Sequence, residues 1–202
     1  MVKVILARHG ETEWNRLRRF QGRSDPPLNE LGKRQAECLA DRLKAEDIRA
    51  VYASPLLRSL ETAHAIARGH RLEVAVEPDL SELNLGDLEG TPIDDLRLSY
   101  DELLVLNGKG EELPKVPGGE SLPELQERAW RAVQRLSGGH EGGAIVVVSH
   151  YFTILTIICA VLELPLSHVN RLRLTRGSIS AFVAGPKMRL EQFNDACHLP
   201  AE

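Results

Sequence analysis

The chain begins with an apolar segment that leads directly into an arginine, a histidine and a glycine. Residues 2–7 are apolar except for Lys3, and Arg8, His9 and Gly10 follow at once. A short, nearly continuous apolar run is typical of a strand buried on both faces of a parallel sheet. Ligands of such sheets bind at the carboxyl ends of the strands. A nucleophile that handles phosphate is therefore the first hypothesis for this arginine and imidazole.

A second predicted strand ends in the same way. The apolar run 144–148 leads into Ser149 and His150, and a third run, 50–53, lies shortly before Arg58. If these strands are central and parallel, their ends meet at one edge of the sheet, where helix amino termini would add free backbone N–H groups. Two arginines, two imidazoles and free amides would together bind a phosphoryl group.

Each of these residues also has a plainer interpretation. A single histidine at the end of a strand is more often a hydrogen-bonded core residue than a catalyst, and Arg58 could pair with Glu61 or cover a helix face. Only their shared place at one sheet edge favours a site. Metal binding by His9 and His150 is disfavoured, because two neighbouring arginines would repel a cation.

Alternating strand-like and helix-like segments surround these motifs and predict an α/β fold with a mainly parallel sheet. Asn29 is expected to cap the first long helix. Ser54 is expected to cap the second, with Pro55 at its first position, and Ser121 and Glu124 have the spacing of a capping box. The predicted helices cover 30–45, 55–68, 94–106, 122–136 and 151–162, and the remaining predicted strands cover 72–76, 171–175, 178–184 and 188–193.

The composition fits one large domain, residues 1–202, with no special macromolecular partner. The 25 lysines and arginines nearly balance 29 aspartates and glutamates, which gives a net charge of −4, so neither nucleic acid nor a membrane surface is expected to bind. Three widely spaced cysteines argue against a disulfide framework and a structural zinc site. The apolar run 151–162 is too short to span a bilayer and the first residues lack a leader pattern, so we expect a cytoplasmic protein.

Further segments around these motifs resemble the histidine phosphatase superfamily, the phosphoglycerate-mutase-like group. The matching segments, in family order, are Arg8-His9-Gly10-Glu11-Thr12, Trp14-Asn15, Gln21-Gly22, Asp25-x-Pro27-Leu28, Ser54-Pro55-Leu56-x-Arg58 and Ser149-His150. Glu82 lies in a segment that matches the acid motif of this family. The resemblance implies a single catalytic domain, built as a three-layer α/β/α sandwich, that belongs to the small phosphatase branch.

The resemblance also implies how the reaction proceeds. His9 would attack phosphorus and form a phosphohistidine intermediate, which divides one displacement into two. Glu82 would protonate the leaving alkoxide and then deprotonate the attacking water. Because Glu82 must begin the reaction as an acid, we expect an acidic to near-neutral pH optimum.

The other matched residues would bind the substrate. Arg8, Arg58 and His150 would hold the phosphoryl oxygens and neutralise the charge that develops on them. Asn15 and the turn at Gln21 and Gly22 would add hydrogen bonds. No metal or other cofactor is expected, since guanidinium and imidazole groups would take the place of magnesium.

Hydrolysis is favoured over transfer to a second hydroxyl group. Cofactor-dependent mutases typically have a Trp-Arg-Arg-type segment after the acid, whereas this chain has Leu96-Arg97-Leu98-Ser99-Tyr100. The segment 117–121 resembles the corresponding loop of small phosphatases. A cofactor-dependent phosphoglycerate mutase remains the alternative. A catalytically silent phosphate-binding module is another, although such a module would have lost a motif residue and none is lost here.

The substrate is left open by the sequence. Tyr151 stands where the family usually has glycine, and it is followed by Phe152. These rings could narrow the pocket or support an apolar leaving group, although Phe152 could equally pack in the core. Residues 81–120, rich in glycine and proline, are expected to form an irregular lid that determines specificity.

We expect a small phosphorylated metabolite as the substrate. A phosphosugar or phosphoglycerate derivative, a nucleoside monophosphate of the α-ribazole type and a broad range of phosphomonoesters all remain open. The carboxyl-terminal strands could complete the sheet or pair across a homodimer interface, and the sequence does not decide between the two.

Overall fold

The computed structural model describes residues 1–95 and 116–200, which are built around a six-stranded sheet. The strands are β1 (Val2–Arg8), β2 (Ile48–Ala53), β3 (Val74–Val76), β4 (Ala144–Ser149), β5 (Ile179–Ala184) and β6 (Arg189–Asp195), in the order β3-β2-β4-β1-β5-β6. The first four are mutually parallel. Strand β5 is antiparallel to β1, and β6 is antiparallel to β5. The predicted mainly parallel sheet is confirmed.

Five helices accompany the strands in the described part of the chain. They are α1 (Glu13–Arg16), α2 (Glu30–Leu43), α3 (Leu57–His70), α4 (Leu122–Gly138) and α5 (Tyr151–Val161), with 3-10 turns at Pro78–Leu80, Gly86–Leu88, Ile93–Asp95 and Leu166–Arg171. Asn29 caps α2 by accepting from the backbone N–H of Gly32 at 2.8 Å. Ser121 and Glu124 form the predicted capping box of α4. None of these helices is long and apolar enough to cross a membrane.

The alternation of side chains along the central strands divides the core into two layers. Val4 and Leu6 of β1 pack in the cluster that contains α4 and α5. Ile5 and Ala7 face the opposite cluster, which contains α2 and α3. Helices therefore cover both faces of the sheet, as the three-layer α/β/α prediction requires, and this explains why the strands are apolar throughout rather than at every second residue.

The second long helix begins later than the sequence predicts. Ser54 was expected to cap it and Pro55 to occupy its first position, but α3 starts at Leu57, and the extended Leu56 takes the cap position without a side-chain hydrogen bond. Leu56 is extended rather than helical, and the Leu57 N–H donates to Asp25 at 2.7 Å. The Ser54 hydroxyl accepts from the Leu56 N–H at 3.3 Å, and its Oγ also lies 2.8 Å from Nε2 of His150.

The predicted strand at 171–175 is wrong. A 3-10 turn occupies Leu166–Arg171, and the residues after it are irregular until β5. Two of their carbonyl groups accept hydrogen bonds from side chains instead of from a neighbouring strand. The Leu172 oxygen accepts from the Tyr151 hydroxyl, and the Leu174 oxygen accepts from Arg8. The helix predicted over 94–106 lies almost wholly outside the described residues.

Candidate active site

The register of the two central strands places two imidazoles side by side. Arg8 on β1 is opposite Ser149 on β4, and the N–H of His9 donates to the carbonyl of Ser149 at 3.1 Å. The rings of His9 and His150 therefore meet just beyond the strand ends, with centroids 5.1 Å apart. Both side chains are almost fully buried.

The surroundings of His9 determine which ring nitrogen can react. Its Nδ1 lies 2.7 Å from the carbonyl oxygen of Gly10. Because a carbonyl can only accept, Nδ1 must carry the proton, which leaves the lone pair on Nε2. Burial, and then the charges of Arg58 and Arg8, hold the pKa of His9 well below its ordinary value. His9 is thus a neutral imidazole with its lone pair on Nε2.

His150 is bound by serine hydroxyls on one side of its ring only. Nε2 lies 2.8 Å from Ser54 Oγ and 3.3 Å from Ser59 Oγ. Its Nδ1 is buried and has no hydrogen-bond partner among residues 1–95 and 116–200. Burial, and then the charge of Arg58, hold the pKa of His150 well below its ordinary value.

Arg58 lies in the first turn of α3 and is 1% exposed. Its Nη1 donates to the Ser24 carbonyl at 2.7 Å and its Nη2 to the Gly22 carbonyl at 2.8 Å. The Nε atom is buried and finds no acceptor in the described part of the chain. Burial lowers its pKa to about 10, so the guanidinium is still charged at neutral pH.

Arg8 is held between the segment before β5 and an aromatic ring. Its Nη1 donates to the Leu174 carbonyl, and its guanidinium carbon lies 4.8 Å from the centroid of Tyr151, within the range of a cation–π contact. Burial, followed by the charge of Arg176, lowers the pKa of Arg8 to about 10. The residue in place of the usual glycine therefore contacts one of the expected phosphate-binding arginines.

Glu82 is 7% exposed and reaches the same pocket from an irregular segment. Its Oε2 accepts from the N–H of Phe152 at 3.2 Å, and its Oε1 accepts from the N–H and hydroxyl of Thr153 at 3.3 and 3.2 Å. Oε1 also accepts from the N–H of Leu83 at 2.8 Å. The amino terminus of α5 thus fixes the carboxyl group.

Three of the helix amides that were expected to be free at this edge are bonded within the chain. The N–H groups of Phe152 and Thr153 in α5 donate to Glu82, and the N–H of Leu57 at the start of α3 donates to Asp25 at 2.7 Å. Acidic side chains of the chain itself therefore occupy part of the positive end of both helices. The guanidinium groups remain as charged donors for an anion.

Asn15 and Gln21 line the pocket, and both are fixed by Thr12. The Asn15 amide oxygen accepts from the N–H of Thr12 at 3.1 Å, which closes a capping box around α1. The Gln21 amide oxygen accepts from the Thr12 hydroxyl at 2.9 Å. Their carbonyl oxygens are therefore used within the chain, so their NH₂ groups are what they can offer a ligand.

Arg176 is a pocket residue that the sequence motifs do not reveal. It lies in the turn before β5, and its Nη1 donates to Glu11 Oε2 at 3.2 Å. Its charge helps to lower the pKa of both Arg8 and His9. Because β5 runs antiparallel to β1, its amino end reaches the edge where β1 ends. Only the direction of β5 could have revealed this residue, and the sequence does not show that direction.

The pocket is a cleft of about 240 Å³ lined by both cationic and apolar side chains. Besides the residues described above, its lining contains Arg18, Arg19, Phe20, Leu85, Ile93 and Phe152. Among residues 1–95 and 116–200, no group of three or more histidine, cysteine, aspartate or glutamate side chains is arranged to hold a metal ion.

Comparison with known proteins gives consistent matches. The model of the histidine phosphatase superfamily (branch 1) matches residues 4–196. A Yersinia pestis protein named "Probable phosphoglycerate mutase GpmB" is 38% identical over 180 residues, which cover 89% of this chain and 84% of that protein.

Two solved structures superpose over nearly the whole chain. One is phosphoserine phosphatase from Entamoeba histolytica in complex with 3-phosphoglyceric acid, with a TM-score of 0.88 and 32% identity over 99% of this chain and 100% of that one. The other is YhfR from Bacillus stearothermophilus, with a TM-score of 0.87 and 30% identity over 99% of this chain and 100% of that one.

Proposed function

The chain belongs to the histidine phosphatase superfamily, and on that premise we propose that it is a phosphomonoester hydrolase that acts through a phosphohistidine on His9. One observation carries the proposal. Around the neutral His9, the buried Nε–H groups of Arg8 and Arg58 lack an acceptor among the described residues, and the buried Nδ1 of His150 has no partner there either. Buried donors of this kind call for a partner, and the oxygens of a phosphoryl group would supply one.

In the first half of the reaction, Nε2 of His9 attacks phosphorus in line with the leaving oxygen. The P–N bond forms while the bond from phosphorus to the leaving oxygen breaks, and the Glu82 carboxylic acid gives its proton to that oxygen. Arg8 and Arg58 neutralise the negative charge on the three equatorial oxygens.

In the second half, water takes the place of the leaving alcohol. The Glu82 carboxylate removes a proton from the water, whose oxygen attacks phosphorus while the P–N bond breaks. Inorganic phosphate leaves, and His9 returns to its neutral form. Because the pKa of His9 lies well below its ordinary value, the nucleophile is available at the acidic to near-neutral pH that we predict as the optimum.

The substrate that we propose is a small phosphorylated metabolite. Asn15, Gln21 and the turn at Gly22 would donate hydrogen bonds to the transferred group, and Tyr151 would fix Arg8 and limit the space for the leaving group. The Entamoeba histolytica neighbour, whose structure contains 3-phosphoglyceric acid, supports a metabolite of this size.

A cofactor-dependent phosphoglycerate mutase is the second candidate, and the Yersinia pestis relative favours it. A mutase would return the phosphoryl group from His9 to another hydroxyl instead of to water. Incubation with 3-phosphoglycerate, followed by phosphorus NMR, separates the two. We expect release of inorganic phosphate, and conversion to 2-phosphoglycerate faster than that release would establish the mutase.

The proposed chemistry is tested by turnover of p-nitrophenyl phosphate in the presence of EDTA. We expect wild type to be active and His9→Ala to be slower by a factor of at least about 10⁴ in kcat, since loss of a nucleophile removes the whole covalent route. His64→Ala, on the exposed side of α3, is the matched control and should behave as wild type. Equal rates for wild type and His9→Ala would overturn the assignment, and no turnover by wild type would favour the binding module.

A further inference from the structure

We propose that Glu89 is a positioning residue for Arg58, acting through the backbone turn at residues 22–24. The inference rests on the proposed function, because it concerns how Arg58 is presented to the phosphoryl group. Glu89 belongs to the same irregular segment as Glu82. None of the roles assigned to the motifs above includes it.

The Glu89 carboxylate binds the turn through its backbone N–H groups. Oε1 accepts from the N–H of Arg23 at 2.8 Å. Oε2 accepts from the N–H and the hydroxyl of Ser24 at 2.8 and 2.7 Å. One side chain therefore uses both of its oxygens to hold two consecutive residues of the turn, which is a strong, charge-assisted arrangement.

The other side of the same turn binds Arg58. The carbonyls of Gly22 and Ser24 accept from its two terminal nitrogens at 2.8 and 2.7 Å. The peptide group between residues 22 and 23 thus donates its N–H to the Glu89 anion and offers its carbonyl to the Arg58 cation. Such a chain of bonds is polarised in one direction, and each bond strengthens the next.

Gly22 has the backbone shape that permits this contact. Its φ is +52°, and a Cβ there would lie only 2.3 Å from Oε1 of Glu89. Any larger residue would push the carboxylate away from the turn. The contact with Glu89 therefore adds to the positive φ a second reason for glycine at this position, independent of any contact between Gly22 and the substrate.

The consequence for Arg58 is a fixed guanidinium plane. A guanidinium has five N–H donors, and the two carbonyl bonds set its orientation while other donors, including Nε, are left for an oxyanion. The charge of Glu89 also counters burial by raising the pKa of Arg58, after the larger contributions of Glu82 and Asp25.

The two segments would stay together without Glu89. The N–H of Gly90 donates to the Phe20 carbonyl at 2.8 Å, and the N–H of Phe20 donates to the Thr91 carbonyl at 3.0 Å. Substitution of Glu89 is therefore expected to loosen the turn and Arg58 without separating the wall of the pocket.

A double-mutant cycle tests this coupling. Glu89→Gln keeps the size of the side chain but turns an amide NH₂ toward N–H donors, and Arg58→Lys keeps the charge but cannot be held in one plane by two carbonyls. Orthovanadate binding is measured by calorimetry in wild type, both single variants and the double variant, together with kcat/KM for p-nitrophenyl phosphate and the melting temperature. Glu77→Gln, which changes a carboxylate that is buried and bound to Arg135 but is not bonded to the turn, is the control.

We expect Glu89→Gln to weaken orthovanadate binding about tenfold and to lower kcat/KM by about 10- to 100-fold, because small displacements of a positioned group cost this much. In the Arg58→Lys background, Glu89→Gln should alter orthovanadate binding by less than about twofold. The control Glu77→Gln should also alter binding in wild type by less than about twofold. Equal losses from Glu89→Gln in the two backgrounds, or a lowered melting temperature with unchanged kcat/KM, would overturn the inference.

Two further outcomes keep this test separate from that of the proposed function. If Glu89→Gln does not fold, Glu89→Asp replaces it. The shorter side chain withdraws the carboxylate from the turn, so orthovanadate binding should weaken by less than about tenfold in wild type and by less than about twofold in the Arg58→Lys background. An equal weakening in both backgrounds would contradict the coupling. If the single variant Arg58→Lys binds orthovanadate with the same affinity as wild type, the role of Arg58 in the site is contradicted instead.

Discussion

The two sides of the pocket are built in different ways. On one side, His9 and His150 extend directly from β1 and β4, so the sheet register and the backbone around it fix their positions. On the other side, the proposed acid Glu82 and the turn that holds Arg58 belong to irregular segments around residues 80–95 and 18–24. Side-chain carboxylates, above all Glu82 and Glu89, bind these segments in place.

The difference indicates a division of labour. In the proposed reaction the strand-end side supplies the nucleophile His9, whose imidazole is kept neutral by burial and by nearby arginines. The loop side supplies groups that depend on a few charged contacts. We therefore expect substitutions on the loop side to change how the rate depends on the leaving group and on pH. Substitutions at the strand ends should prevent formation of the phosphohistidine intermediate or change the stability of the fold.

Glu82→Gln should give the largest effect on the loop side. An amide cannot protonate the leaving oxygen, so kcat/KM for an alkyl phosphomonoester should fall by about 10²- to 10⁴-fold. For p-nitrophenyl phosphate, whose leaving group departs without a proton, the fall should be less than about tenfold. Steady-state kinetics with the two substrates measures this difference, and equal losses would show that Glu82 acts by its position alone.

Arg58→Ala should combine a smaller loss with a change in pH dependence. Removal of one preorganised donor should lower kcat/KM by about 10²- to 10³-fold. Because the charge of Arg58 is the largest cause after burial that lowers the pKa of His9, its removal should raise that pKa and move the acid limb of kcat/KM to higher pH. Arg58→Lys retains the charge and should leave the limb in place, so a limb that does not move in Arg58→Ala would contradict the electrostatic link.

The smallest effect concerns stability and comes from the strand-end side. The pKa of His150 in the folded protein lies below the value of about 6.5 in an unfolded chain, so between these values the unfolded chain binds more protons. The contribution of neutral His150 to stability is present above about pH 6.5 and is lost as the pH falls toward the folded value, at up to about 1.4 kcal/mol per pH unit. Urea unfolding of His150→Gln between pH 7 and 5 should show a shallower decline than wild type, and identical slopes would refute the buried neutral state.

The sequence predicts the strand-end side well because its information is local. A continuous apolar run followed by Arg8 and His9, repeated before His150, needs only the parallel pairing of two strands to bring the imidazoles together. Helix α3 starts later than the sequence predicts, and the Leu57 N–H binds Asp25 instead of Ser54, a contact between residues far apart in the chain. Local propensity cannot anticipate such a contact.

The loop side and its supports were harder to predict for the same reason. Arg176 enters the site only because β5 runs antiparallel to β1, and Glu89 matters only because a turn from another part of the chain lies between it and Arg58. Three of the helix amides that were expected to be free are instead bonded to Glu82 and Asp25. Each of these features depends on tertiary contacts, which the hydrophobic periodicity of the sequence does not indicate.

Trapping of the intermediate tests the proposed reaction most directly. Wild type is mixed with a ³²P-labelled phosphomonoester and quenched within one turnover, and the labelled peptide is mapped. We predict an acid-labile, alkali-stable label on the peptide that contains His9, and no label in His9→Ala. Turnover by wild type without any such label, or a label on another residue, would contradict the phosphohistidine route.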